Sequence, residues 1–387
     1  MNAINLRQKP AVHIIDDEII APLGWGTSAN LTQIKQRQTA IKEHKISVEN
    51  FYYAALFEEE KIQQNFDNLS FSKAEDFTKL EKLFLLTVHH LLERNPINLE
   101  ETVLIISTTK GNVELLEKAE NSIPEKSKLY SLGKTVQKYF NLKNEPITLS
   151  NACISGGLGL SVGKRLLEEN AYKNALVLGG DVVSKFTRSG FQLLQAMDSE
   201  ICKPYDKNRK GINLGEAAAG VLLSTEKQNS KIQIVGEATA NDANHISGPS
   251  RTGEGLVKVI SSALNEAHLE ASAIDCISAH GTATLYNDAM EAQAFGRLNL
   301  QQKPLTSYKA YYGHTFGASA LIESILSIKS LQQNLLFPSL GCEKIGVEPS
   351  LNIQQNLEEK KLKYALKTAS GFGGCNFAMI FKNLKYA

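Results

Sequence analysis

The sequence predicts an α/β protein made of two related halves, and three features carry that expectation. Short apolar runs repeatedly end in small polar residues and give way to helical spacing. Two such junctions in the first part of the chain have counterparts in the second. The chain's 387 residues, 42% of them hydrophobic, can bury a large core and are long for one simple domain.

The elements follow in order. TVLIISTTKGNVELLEKA (102–119) reads as an apolar strand, a small-polar turn with a glycine, then a helical pattern. In PITLSNACISGGLGLSVGKRLLEENA (146–171), Ile147 and Leu149 alternate with Thr148 and Ser150 as in a short strand, whereas Leu158, Val162, Leu166 and Leu167 recur at helical spacing. Val221, Leu222 and Leu223 close a further strand before the polar STEKQNSK (224–231), and Ile232, Ile234 and Val235 open another. This change of texture places a boundary between an N-terminal half, 1–228, and a C-terminal half, 229–387. In the second half DCISAHGTATLYNDAMEA (275–292) matches the first pattern, and YYGHTFGASALIESILSIKSLQQNLLF (311–337) matches the segment around Cys153, with His314 near-equivalent to Cys153. Gly156, Gly157 and Gly159, like Gly317, Ala318, Ser319 and Ala320, open helical segments. Glycine in a helix costs roughly 1 kcal/mol against Ala, so such clusters imply two helices in close approach about a pseudo-twofold axis.

Charge and cysteine content exclude several functions. A net charge of +1, with charges mixed along the chain, speaks against nucleic acid or an anionic lipid surface as partner. Five cysteines, an odd number with no CxxC pair, fit reduced thiols rather than disulfides or structural zinc. MNAINLRQKPAVHIIDDEII lacks the apolar run of a signal peptide, and no window is long enough to span a bilayer. The expectation is a soluble, cytoplasmic protein.

Chemistry concentrates at three junctions. Cys153 stands where a strand gives way to a helix, and the free amides and dipole at a helix start favour a thiolate, which is a nucleophile. Taken alone, such a cysteine is more often an apolar filler. His280 and His314 change that balance, because each follows a short β-prone run and precedes a helix-like segment. In open α/β sheets the residues that leave the carboxyl ends of strands share one crevice, so all three can meet.

Five ordered motifs now carry a resemblance: NACISGG around Cys153, CKPYDKNRKGINLGEAAAGVLL from Cys202, AHGTATLYNDAMEA around His280, SYKAYYGHTFGASALIE around Lys309 and His314, and SGFGGCNFAMIF around Phe372. The chain resembles a β-ketoacyl-(acyl carrier protein) synthase of the condensing-enzyme family with the thiolase fold. The resemblance implies a duplicated, five-layered α-β-α-β-α architecture with buried central helices. It implies that Cys153 takes an acyl group from a carrier thioester, and that malonyl-(acyl carrier protein) then loses carbon dioxide and the enolate attacks that acyl group. His280 and His314 would donate to the thioester oxygen, where one such donor is worth about 3 kcal/mol, and Lys309 would hold the charge balance around them. The backbone N–H groups of Cys153 and Phe372 would form a second oxyanion hole. Gly371 and Gly373 would free the backbone there, and the Phe372 ring would gate the acyl and malonyl sites. No metal and no redox cofactor is implied. An acyl carrier protein is the implied partner, with a homodimer across a strand edge as the usual state and a heterodimer as an option. Two other readings stand beside it: a chain-length subunit of a heterodimer, which typically lacks the thiol, and a coenzyme A-dependent, thiolase-like enzyme, whose third member is usually a cysteine or asparagine rather than His314.

The remaining residues read mostly as structural. Asp206, Arg209, Gly215 and Glu216 fit a buried ion pair shaping the loop beneath the site. Asp288 and Glu291 lie three apart on one helical face after His280, Glu291 being a candidate to support it, and Glu323 is ambiguous. Cys202, Cys276, Cys342 and Cys375 read as packed thiols, and His13, His44, His89, His90, His245 and His268 have no motif around them. Ile154, where many relatives carry a small hydroxyl residue, and the segment 190–205, shortened against the family pattern, would shape the acyl pocket. Primary fatty-acid elongation and a polyene or polyketide-type pathway both stay open. Lys203, Lys207, Arg209 and Lys210 form a basic cluster that fits an acidic carrier protein or a solvated face.

Overall fold

The computed structural model describes residues 9–47, 51–68, 77–120, 122–242, 244 and 248–386. His245 lies outside them. Ten strands form one continuous sheet: β1 (Val12–Ala21), β2 (Thr102–Ser107), β3 (Ile147–Leu149), β4 (Asn174–Asp181), β5 (Ala217–Ser224), β6 (Ile232–Asn241), β7 (Cys276–Ser278), β8 (Leu305–Thr306), β9 (Tyr364–Gly371) and β10 (Cys375–Asn383). Their spatial order is β8-β7-β9-β10-β6-β1-β5-β4-β2-β3, with Gly24–Trp25 attached to β1 as an eleventh strand. The duplication is plain in this order. Each half runs third, second, fourth, fifth, first, with the first three of these parallel and the last two joined antiparallel. The halves meet edge to edge where Val12, His13 and Ile14 of β1 face Ile234, Gln233 and Ile232 of β6.

Seven helices position the site: α1 (Lys79–Arg94), α2 (Leu129–Tyr139), α3 (Ser155–Glu168), α4 (Lys185–Leu193), α5 (Glu254–Glu266), α6 (Leu285–Arg297) and α7 (Ser319–Gln333). Alternation along the strands sorts their apolar side chains into separate layers. In β2 and β4, Val103, Ile105, Ala175 and Val177 face a central core shared with α3 and α7. Leu104, Ile106, Leu176 and Leu178 face α1 and α2 on the outside. In the second half Ala365, Phe377 and Met379 turn inward, whereas Leu366, Ala378 and Ile380 turn outward against α5 and α6. Both α3 and α7 touch strands of both halves, so the layers run helix, sheet, helix, sheet, helix. α1 starts on a capping box in which Glu81 N–H donates to Thr78 Oγ1 at 3.2 Å and Thr78 N–H donates to Glu81 Oε2 at 2.8 Å.

Three sequence expectations change. The helical pattern after β2 is a 3-10 winding, Val113–Lys118, with no buried residue and Leu116 exposed, and α4 lies against it, Phe186 N–H donating to Glu117 Oε1 at 2.7 Å. In α3 the glycine face is the buried one, while Leu158, Val162 and Leu166 are half-buried. A Cβ on Gly156 would lie 2.7 Å from the Gly317 carbonyl oxygen, which is the close approach that the missing side chain permits. The register of the repeat also shifts. Ala152 and Phe316 each take a left-handed backbone, φ 44° and 49°, three residues before the helices that start at Ser155 and Ser319. Cys153 therefore corresponds to Gly317, and His314 lies three residues earlier in its own turn.

Candidate active site

The three junction residues meet. Cys153 Sγ and one nitrogen of each of His280 and His314 all lie within 4.8 Å of one another. The imidazole centroids are 5.4 Å apart at an interplanar angle of 81°. Cys153 sits on the strained turn between β3 and α3. Ser155 Oγ holds that turn, accepting from Asn151 N–H at 2.8 Å and donating to the Ala152 carbonyl at 2.7 Å.

Each histidine is fixed by backbone and by tautomer. His314 N–H donates to the Asn213 carbonyl at 2.7 Å and its own carbonyl accepts from Gly215 N–H at 3.0 Å. Its Nδ1 accepts from Phe316 N–H at 3.1 Å, which puts the ring hydrogen on Nε2. That Nε2 is buried and makes no hydrogen bond among the described residues. His280 is set by Glu291, whose two oxygens accept from His280 N–H and Gly281 N–H at 2.7 Å each while Tyr205 Oη donates to Oε2 at 2.8 Å. Lys309 Nζ lies 3.5 Å from His280 Nδ1 and donates to the His280 carbonyl at 3.0 Å. An ammonium only donates, so Nδ1 is the acceptor and Nε2 again carries hydrogen. Both rings present an N–H to the same space.

A buried charge cluster lies behind them. Glu323 pairs with Lys309 on one oxygen and with Lys367 on the other, the latter at 2.6 Å. Burial opposes the Glu323 charge, but the two ammoniums outweigh it and hold the carboxyl below its usual range. Burial, then Lys309, His314 and Lys367, pushes His280 well below the usual imidazole value. Burial, then Lys309, Lys110 and Lys367, does the same for His314. Both imidazoles are neutral.

The nucleophile departs from the sequence expectation. Burial pushes the Cys153 thiol up to about 11, although Lys309, Lys110 and the Phe372 N–H pull it down. Helix-start electrostatics loses to desolvation at a side chain only 9% exposed.

The SGFGG turn forms the rim. A Cβ on Gly371 would lie 2.8 Å from Cys375 Sγ and 3.1 Å from Cys153 N, whereas Gly373, at φ 84°, faces open space. The Phe372 ring is 42% exposed and stacks on Phe191 of α4, centroids 5.7 Å apart. Between this rim and Leu285 and Tyr286 a cavity of about 390 Å³ leads down to Cys153, His280 and His314. Cys375 reaches its wall, while Cys202, Cys276 and Cys342 are buried free thiols elsewhere. None of His13, His44, His89, His90 and His268 lines it.

Two assignments from the sequence are corrected. Ile154 is 1% exposed and packs in the central core instead of lining the cavity, because its side chain turns inward at the head of α3. Arg209 is buried, donating to the Asp206 and Gly346 carbonyls at 2.9 and 2.8 Å and pairing with Asp288 at 3.7 Å, so it leaves the surface cluster. Asp206 itself accepts from the backbone of Asn208, Glu343 and Lys344 rather than pairing with Arg209. Lys203 and Lys210 both sit near Glu200, which neutralises part of what remains. Glu216 bonds Phe57 N–H, Val183 N–H and Lys79, a structural role.

Sequence reasoning missed Asn213, Lys367 and Lys110. Lys367 had a visible signal, a charge inside the apolar strand YALKTAS; Asn213 acts through its carbonyl, which no residue type reveals. Cysteine and two imidazoles are also transition-metal donors, but Lys110, Lys309 and Lys367 around them oppose a dication.

Comparison with known proteins agrees with this geometry. Residues 28–229 match the N-terminal domain model of β-ketoacyl synthase, and residues 232–343 match its C-terminal domain model. The chain is 26% identical over 330 residues to 3-oxoacyl-[acyl-carrier-protein] synthase 2 of Vibrio cholerae, covering 76% of this chain and 78% of that protein. It is 29% identical over 250 residues to the protein of the same name from Rhizobium meliloti, 60% of this chain and 59% of that one, less than two thirds of the relative's length. The ketosynthase ApeO, solved in complex with its chain length factor ApeC from Xenorhabdus doucetiae, superposes with a TM-score of 0.81 at 22% identity, covering 97% of this chain and 98% of the other. The fold is the thiolase-like ketosynthase fold, and the chain belongs to the β-ketoacyl synthase family of condensing acyltransferases.

Proposed function

We propose that this chain extends carrier-bound acyl groups by decarboxylative Claisen condensation, with Cys153, His280, His314 and Lys309 as its reacting and supporting groups. The observation that carries the reading is the pair of neutral imidazoles, each with hydrogen on Nε2, beside the Cys153 thiol. In the first half-reaction Cys153 Sγ attacks the acyl thioester, its proton ends on the departing carrier thiol, and the acyl oxygen is met by the N–H groups of Cys153 and Phe372. In the second, the C–CO₂⁻ bond of malonyl carrier breaks. The electron pair runs onto the thioester oxygen, where the two Nε2–H donors stabilise it. The enolate carbon then attacks the acyl carbon. Collapse expels Cys153 as thiolate, which takes one proton from water.

The imidazoles must stay neutral for this, and their burial among cations supports that. The acyl group lies on the rim side, toward Phe191 and Leu194, since Ile154 fills the space behind the nucleophile. Presence of all three reacting residues argues against a purely chain-measuring subunit. The partner is an acyl carrier protein carrying acyl and malonyl groups. A second copy at the β3 edge is supported by half-buried Ile147, Leu149, Val162 and Leu166, and a chain-length partner of the kind seen with ApeO is the alternative. We place the protein in the cytoplasm; no helix among the described residues is long and apolar enough to cross a membrane. The division into halves at residue 228 belongs to the same reading.

The test is incubation with a panel of acyl carriers, followed by intact-mass measurement and then by malonyl carrier. A mass increase equal to the acyl group, absent from Cys153→Ala, and a 3-oxoacyl product two carbons longer are expected. Loading on Cys153→Ala would remove the nucleophile assignment.

A further inference from the structure

A third cation bears on His314 through the Phe316 ring. The Phe316 ring stacks on the His314 ring, centroids 5.2 Å apart at 18°. Lys110 Nζ sits 4.1 Å from the centroid of the same Phe316 ring. Phe316 is also the residue whose N–H fixes the His314 tautomer, and it does so from a left-handed backbone, φ 49°, that a bulky residue rarely adopts. The turn needs holding. Asp181 does that: its Oδ2 accepts from Gly317 N–H at 2.7 Å and from Thr109 N–H and Oγ1 at 2.8 Å each, and its Oδ1 accepts from Thr108 Oγ1 at 2.9 Å. Lys110 Nζ is 3.8 Å from the same carboxylate. One buried acid thus ties the Lys110 turn of the first half to the Phe316 turn of the second.

We propose that Lys110 is a positioning residue for decarboxylation, its charge laid over the Phe316 ring so that His314 stays neutral with its hydrogen on Nε2. This rests on the condensation reading. The groups facing His314 are Cys153 and His280 across the cavity floor, Lys309 and Lys367 on one side with Glu323 between them, and Lys110 with Asp181 behind Phe316. Lys309 and Lys367 share one carboxylate, which offsets part of their field. Asp181, 3.8 Å from Lys110 Nζ, offsets part of its field in the same way, and Lys110 is the cation that reaches this ring through Phe316. Lys110 also favours the Cys153 thiolate, so a single side chain serves both the sulfur and the donor.

The experiment compares Lys110→Met, which keeps the aliphatic stem, and Lys110→Gln with Lys110→Arg, which restores the charge. The readout is the pH profile of malonyl-carrier decarboxylation, together with an ¹⁵N NMR titration of His314 that needs no turnover. With Met or Gln, the acid limb and the His314 titration should both move to higher pH by roughly 0.5–1 unit, a three- to tenfold loss of rate on that limb. Arg should return both toward wild type. An unmoved limb and titration in folded Met or Gln variants, an Arg variant that shifts as far as Met, or unfolding of both uncharged variants would each overturn the proposal, the last by assigning Lys110 to stability. Wild-type protein that loads acyl groups but never decarboxylates malonyl carrier would sink the condensation reading, while the NMR titration still decides whether Lys110 controls His314.

Discussion

At Cys153 two effects of known sign oppose each other, and their balance decides how the sulfur behaves before substrate arrives. A helix start and nearby lysines favour thiolate, but burial takes the thiol to about 11, so the resting group is protonated. Alkylation by iodoacetamide should therefore still be climbing at pH 10, well past the point where a free thiol has levelled off; a plateau by pH 8 would mean that the dipole and cations win. The imidazoles titrate in the other direction. Their protonation is pushed below the usual 6.5, so malonyl decarboxylation should stay flat as pH falls through 6.5 and decline only below it. Replacing His314 by Ala removes one of two donors to the thioester oxygen and leaves the sulfur in place. Decarboxylation should drop on the order of 100-fold while intact mass still records acyl loading. Equal loss of both steps would reassign His314 to general support of the site.

Among the elements, strands and the helices after Cys153 and His280 were legible because their periodicity is local, and β3 falls where the alternation of Ile147 and Leu149 puts it. The meeting of Cys153, His280 and His314 was also legible, since strand ends share a crevice. What periodicity could not reveal was how each turn is held. Asn213 acts through a carbonyl, Lys110 acts through an aromatic ring, and the equivalence of Cys153 with Gly317 depends on two backbone angles. Ile154 misled for a related reason: sequence adjacency to the nucleophile says nothing about which way a side chain leaves the first turn. Glu323 of α7 illustrates an element-scale dependency, since it holds Lys309 from the turn after β8 and Lys367 from β9 together. Glu323→Gln leaves two buried ammoniums without a counter-charge. It should cost about 3–5 kcal/mol, read as a lowered denaturation midpoint, and a midpoint within error of wild type would show that one lysine gives up its proton at little cost.

Over the whole molecule, two copies of one strand order are joined into one sheet and share one helical layer. Neither half owns its core. The inner faces of β2 and β4 need α7 as well as α3, and the β1 edge needs β6, because Val12 and Ile14 pair with Ile234 and Ile232 across the join. The site has the same dependence: its sulfur comes from the first half, its imidazoles from the second, and Asp181 of the first half bonds Gly317 of the second. Separate folding of the halves would expose the glycine face of α3 and an open strand edge in one piece and would remove the Gly317 N–H from Asp181, each of which disfavours a stable fragment. We expect the full chain to unfold in one transition, coincident by far-ultraviolet circular dichroism and by Trp25 fluorescence, with acyl loading lost at the same denaturant concentration. A fragment of residues 1–228 should show no cooperative transition. If that fragment melts cooperatively, or if loading disappears well before the sheet does, the halves are separable units and the shared layer between α3 and α7 is an interface rather than a core.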